Sequence, residues 1–253
     1  MPLIAIPIVI LQIVLARREN LMRVNAWIRE NDMTPSVEEH ELDEAGRERP
    51  VTLASRALKT ALANRNVRWT ILMTFCFLFA EFGIDTFLTG YLNQEVGIPI
   101  AAAIIVSGAS GYIGWLGQIV WTTLSDTLGR KFCLGIIAVG WGIAVLSIIF
   151  ITNLTTAWLI LLGWGLVRNS PFPVAYALLI DSIPDAASSG MGLMIGIALG
   201  VSAFVSSIAA GLVIDNFGYT ANYIFLAIPC FLALIPISFM RETSVTGGAT
   251  ATE

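Results

Sequence analysis

Six stretches of more than 20 largely apolar residues follow one another along the chain, separated by only about four to nine residues each. They cover residues 69–91, 100–124, 132–152, 157–183, 188–214 and 219–240. A helix rises about 1.5 Å per residue, so roughly 20 apolar residues cross the hydrocarbon of a bilayer. Connections this short join neighbouring antiparallel helices. The pattern predicts an all-α membrane protein built on a six-helix transmembrane bundle. Composition agrees: 56% of residues are hydrophobic and 13% charged, against roughly 45–50% and 25% in soluble chains.

A seventh apolar run, Pro2 to Leu15, stops after 14 residues at Arg17-Arg18. It lacks the preceding positive charge of a secretory leader, and it reads as the end (residues 1–15) of a truncated transmembrane helix. Residues 16–68 then form a long polar loop. Within it, residues 17–30 place Leu21, Val24 and Ile28 on one helical face among arginines, which suits a helix lying on an anionic leaflet. Residues 34–50 are acidic and poor in apolar side chains, hence expected to be disordered. Residues 51–65 again have amphipathic spacing, through Leu53, Leu58 and Leu62. The bundle proper is expected over 69–241, and residues 242–253 as a disordered tail.

Basic residues orient the spans. Ten of the 14 Lys and Arg lie between Arg17 and Arg68; Arg130, Lys131 and Arg241 occupy connections on the same side, and the opposite connections hold none. By the positive-inside rule that side is cytoplasmic, which makes the chain a multi-pass protein of the cell's inner membrane with the 16–68 loop and the C-terminus inside.

Three charges lie within the spans. Glu81 and Asp85 share one face of the first span by their i, i+4 spacing, and Arg168 lies at comparable depth in the fourth. A charge at the bilayer centre costs about 2.5–3.5 kcal/mol on insertion scales, so such residues come with a partner or a role. Two acids and one arginine leave one carboxylate over. The expectation is that Arg168 ties down one acid while the other carries a coupling proton; a static triad fastening two helices is the competing possibility. Beside Arg168 stands Asn169-Ser170-Pro171-Phe172-Pro173. The prolines remove backbone donors and free the carbonyls of Val167 and Asn169, a feature tolerated at membrane depth only within protein or beside a wet cavity. Trp115, Trp164, Asn169, Phe172 and Tyr176 are candidates to line that cavity. Gly108, Gly111, Gly114 and Gly117 in the second span, and Gly192, Gly196 and Gly200 in the fifth, are close-approach stripes. Cys76, Cys133 and Cys230 lie in apolar runs without the spacing of a metal site. The lone His40 sits in the acidic stretch. No span pairs a histidine with a nucleophile, so neither enzyme chemistry nor a metal or other cofactor is expected, and nothing points to nucleic acid.

The connection after the second span reads Thr122-Thr123-Leu124-Ser125-Asp126-Thr127-Leu128-Gly129-Arg130-Lys131. It resembles the signature loop of the major facilitator superfamily, Gly-x-x-x-Asp-Arg-x-Gly-Arg-Lys, through Asp126, Gly129, Arg130 and Lys131. It departs at Thr122, where the family has Gly, and at Thr127, where it often has Arg. The resemblance implies that the six spans are helices 7–12 of a twelve-helix fold, with Pro2–Leu15 the tail of helix 6, residues 16–68 the central cytoplasmic loop, and a six-helix N-terminal half as partner. It further implies a gate: Gly129 permits the turn, Arg130 and Lys131 hold the loop at the anionic surface, and Arg130 pairs with Asp181 in the outward-facing state. The implied function is alternating-access, proton- or cation-coupled secondary transport of a small organic solute, such as an organic anion or sugar-like metabolite. Efflux of cationic or neutral drug-like compounds is an alternative, as is an inactive half-transporter or non-transporting membrane partner.

Overall fold

The computed structural model describes residue 59, residues 61–184 and residues 187–243. The expectations for residues 1–15, for nearly all of the 16–60 stretch and for the tail beyond residue 243 lie outside the described residues. Among the described residues the secondary structure is wholly helical. In chain order the helices are α1 (Arg65–Gln94), α2 (Ile100–Ser107), α3 (Ala109–Leu128), α4 (Arg130–Ser147), α5 (Leu154–Arg168), α6 (Pro171–Ser182), α7 (Ala187–Leu232) and α8 (Leu234–Phe239), with a 3₁₀ turn at Ile148–Phe150 after α4.

Local chemistry sets the ends. Asn64 caps α1 by accepting from the Asn66 N–H at 2.8 Å, which satisfies one of the orphan donors of the first turn. Asn153 and Thr156 form a reciprocal capping box on α5. Gly129 alone separates α3 from α4, at φ 98° and ψ 141°, a left-handed conformation that glycine adopts without a Cβ penalty. The turn there is thus tighter than the 125–131 connection expected from the sequence.

α7 hides the last two spans. Gly218 inside it has φ 81° and ψ 175°, which no helix contains. The two arms on either side run back along one another. A Cβ built on Gly83 of α1 would lie 2.8 Å from Ser206 Oγ and 2.5 Å from Leu226 Cδ2. On a straight helix those two residues would be about 30 Å apart at 1.5 Å per residue. The chain therefore reverses at Gly218, and both arms pack on α1. Further breaks divide the second span at Gly108 and the fourth at Asn169-Ser170.

The bundle is apolar inside and out. Phe77, Trp141, Trp164 and Tyr223 are fully buried, while Ile104, Ile119, Phe204 and Leu212 face outward at half or more of their surface. Helices apolar all round belong in lipid rather than water.

α3 and α5 approach most closely through glycine. A Cβ on Gly165 would meet Ser110 O at 2.5 Å, and one on Gly117 would overlap the Leu166 carbonyl. Gly111, by contrast, faces open space, as do Gly192 and Gly200 of α7. Gly117→Val is accordingly expected to force α3 off α5 and cost about 1–3 kcal/mol, the usual range for overpacking. The measurement is the melting temperature in detergent, with Gly111→Val as control. Equal melting of both variants would contradict the close contact.

Candidate functional site

Arg168 is the last residue of α5, where the helix breaks and its final carbonyls favour a cation. From there it reaches back to the middle of α1. Its Nε donates to Glu81 Oε1 at 2.9 Å and its Nη2 to the same oxygen at 2.8 Å. Nη2 also donates to Asp85 Oδ2, and Nη1 to Ser110 Oγ on α3 at 2.7 Å. The guanidinium lies over the Trp164 ring, 4.8 Å from its centroid. Arg168 therefore does not tie down one acid and leave the other free. The i, i+4 spacing of the acids brings both within reach of one planar fork. The surplus sits elsewhere: Glu81 Oε2 is buried and has no hydrogen-bond partner. Asp85 is the more open of the acids, its side chain 39% exposed against 14% for Glu81.

The broken turn after Arg168 is satisfied by neighbouring helices. Trp141 Nε1 of α4 donates to the Val167 carbonyl at 2.7 Å and the Arg168 carbonyl at 3.2 Å. From α3, Trp121 Nε1 donates to Leu166 O at 3.1 Å and Gln118 Nε2 to Asn169 O at 3.5 Å. The two carbonyls expected to be freed by the prolines, Val167 and Asn169, thus accept from side chains of the bundle.

Of the proposed lining residues, Trp164 and Asn169 adjoin the triad. Trp164 lies beneath Arg168, and the Asn169 amide comes within 3.0 Å of where a Gly114 Cβ would stand. Trp115 points outward, its indole donating to its own helix at Tyr112 O. Phe172 and Tyr176 are half-buried on α6 and, among the described residues, make no hydrogen bond to the triad. Ser110 and Trp141 escape a reading of the sequence. A serine within a glycine stripe gave some signal for the first; nothing set Trp141 apart from the other indoles.

At the Gly129 end a second cluster closes the bundle. Arg130 is buried; its Nε donates to Asp181 Oδ2 at 2.6 Å and its Nη1 to Asp126 Oδ1 at 2.9 Å. Lys131 Nζ donates to the Ser238 carbonyl at 2.6 Å. Glu242 accepts from the Arg130 N–H at 2.7 Å and from the Lys131 N–H at 3.2 Å, a carboxylate on the N-terminus of α4. Arg130 thus meets Asp181, the partner the resemblance implies, and Asp126, so its Nε and Nη1 are engaged within the protein rather than at lipid headgroups. One turn away, Asn66 of α1 donates to Ser182 Oγ at 2.8 Å and accepts from the Arg241 N–H at 2.8 Å.

Helices apolar on every face, charges confined to a triad within the bundle, and an arginine-clasped turn at one end define an integral, multi-pass membrane protein. The family model of the Major Facilitator Superfamily matches residues 70–253. The chain belongs to that superfamily. The cis,cis-muconate transport protein of Acinetobacter baylyi is 25% identical over 190 residues, which cover 71% of this chain and 44% of that protein. The chain thus spans less than half the length of this relative.

Proposed function

We propose that this chain forms the C-terminal half of a secondary transporter that carries a small organic carboxylate together with a proton, and that Glu81, Asp85 and Arg168 couple the two. The observation that carries the reading is the shared Nη2 of Arg168, bonded to both acids, beside a buried and unpartnered Glu81 oxygen. With all three groups ionised the site holds one negative charge too many for a low-dielectric interior. A proton reaching Asp85, the more open acid, removes that excess and ends its claim on Nη2. The freed N–H then suits a solute carboxylate. When the proton leaves, Asp85 retakes Nη2 and expels the anion. Proton and solute each strengthen the binding of the other, as linkage requires.

Two features support the solute class. A guanidinium fork matches carboxylates, and the relative described above is a muconate transport protein. The open glycine face of α7, at Gly192, Gly196 and Gly200, would meet a six-helix N-terminal half, against which this bundle rocks in alternating access around a midplane site. The basic loop and the Gly129 end lie in the cytoplasm, and the membrane is the cell's inner one. There the Arg130–Asp181 clasp closes the inner gate while the site faces outward.

The test is uptake of cis,cis-muconate by proteoliposomes containing the full-length transporter, driven by an inward proton gradient. Glu81→Gln and Asp85→Asn should each reduce gradient-driven uptake by about 5–150-fold, the range of a coupling free energy of 1–3 kcal/mol. Downhill exchange of labelled for unlabelled muconate should survive in at least Asp85→Asn. Full gradient-driven uptake by both variants would rule the proposal out.

A further inference from the structure

The geometry points to Trp141 as the positioning residue for Arg168: its indole N–H holds the broken end of α5 and so sets the guanidinium against Glu81 and Asp85. This inference rests on the triad reading above and adds to it a residue on a third helix. Pro171 has no N–H, so the Val167 carbonyl lacks the donor that a continuous helix would supply four residues on. Trp141 Nε1 fills that vacancy from α4 at 2.7 Å and extends to the carbonyl of Arg168 itself at 3.2 Å. Within its own segment the Val167 carbonyl accepts from the Ser170 N–H at 3.3 Å, beyond the ordinary range, so the shorter indole bond is the stronger anchor of the turn.

The ring of Trp141 is held as firmly as its N–H. It packs against Phe77 in a tilted pair, centroids 5.3 Å apart, and meets Trp164 edge to face at 5.7 Å. Phe77 lies one turn of α1 before Glu81, on the same face. Trp164 lies one turn of α5 before Arg168 and carries its guanidinium at 4.8 Å. Phe77, Trp141, Trp164, Arg168 and Glu81 therefore form a closed loop of contacts joining α1, α4 and α5. The Trp164 indole N–H is buried without a partner, so its ring takes its place from Trp141 and Arg168 rather than from a hydrogen bond of its own. Moving Trp141 would shift both the backbone that bears Arg168 and the ring beneath it.

The experiment labels the full-length transporter, purified in detergent, with dicyclohexylcarbodiimide at one fixed pH. The reagent reacts with protonated carboxyls in apolar surroundings, and mass spectrometry reads modification at Glu81 and Asp85. Arg168→Gln sets the rate for unguarded acids. Trp141→Phe keeps an aromatic ring and loses the N–H; it is expected to raise labelling about fivefold over the unmodified protein, the size that a lost hydrogen bond carries. Trp141→Phe combined with Pro171→Ala regains a backbone N–H for the Val167 carbonyl and is expected to return labelling toward the original rate. A purely packing role for the ring would show no such rescue. Fast labelling in Arg168→Gln with unchanged labelling in Trp141→Phe would overturn the role of Trp141 alone. Slow labelling in Arg168→Gln as well would overturn the triad reading beneath it.

Discussion

Replacing Arg168 with glutamine is expected to lower gradient-driven uptake more than 100-fold and to lower the melting temperature at the same time. The side chain is the sole base among the described charges at mid-membrane, and it holds two carboxylates, one of them 14% exposed. Breaking a buried pair by removing one partner costs about 3–5 kcal/mol, because the remaining charge stays buried. Each acid left at depth is itself worth about 2.5–3.5 kcal/mol against insertion. The acids survive there only by holding protons permanently, which leaves nothing to couple. A triple variant, Arg168→Gln with Glu81→Gln and Asp85→Asn, has no stranded charge. It should regain most of the lost melting temperature and none of the uptake. Wild-type uptake by Arg168→Gln would contradict the account, and so would a triple variant as unstable as the single one.

The second large effect is expected at the Gly129 end of the bundle, from Arg130→Ala. Arg130 is 7% exposed and joins α4 to Asp181 of α6 and to Asp126 of α3. Its removal strands Asp181, whose side chain is 24% exposed. The cost is thus below that of a fully buried pair, about 1–3 kcal/mol. Asp126 is half exposed and loses little. The functional consequence should exceed the thermal one, since the clasp is where the proposed inner gate closes. A cysteine placed at Ser182 should react with a water-soluble maleimide about tenfold faster in the Arg130→Ala background, as expected when about 1.4 kcal/mol of closure is lost. Unchanged reactivity would mean that the clasp does not close this end.

The parts of the molecule that were legible in the sequence are those where burial is expensive. Six long apolar runs admitted little besides membrane helices, and charges within them announced themselves: Glu81, Asp85 and Arg168 stood out because few residues bear that cost without a partner. The prolines likewise marked where backbone carbonyls would seek other donors. What the sequence withheld was geometry. Counting charges suggested that Arg168 would choose one acid, yet one guanidinium fork spans two carboxylates a turn apart. The pairing is a matter of reach, not of charge. Arg130 was expected both at the anionic surface and on Asp181; the structure holds the Asp181 pair at 2.6 Å and adds Asp126 at 2.9 Å, a second partner that the resemblance did not supply. Trp141 was invisible for a further reason. An indole in an apolar run is equally at home packing, lining a cavity or donating to a carbonyl, and only the position of the α5 break decides among them. The reversal at Gly218 was expected as a polar turn over residues 215–218, and the structure concentrates it in the one residue able to adopt φ 81° at no steric cost.

The most direct test of proton–solute coupling at the triad is proton movement itself. Adding cis,cis-muconate to lightly buffered proteoliposomes of the full-length transporter, with no imposed gradient, should make the external medium more alkaline as protons enter with the anion. The same addition to Glu81→Gln/Asp85→Asn proteoliposomes should leave the pH unchanged. Equal alkalinisation by both preparations would place the coupling proton somewhere other than Glu81 and Asp85 and contradict the account.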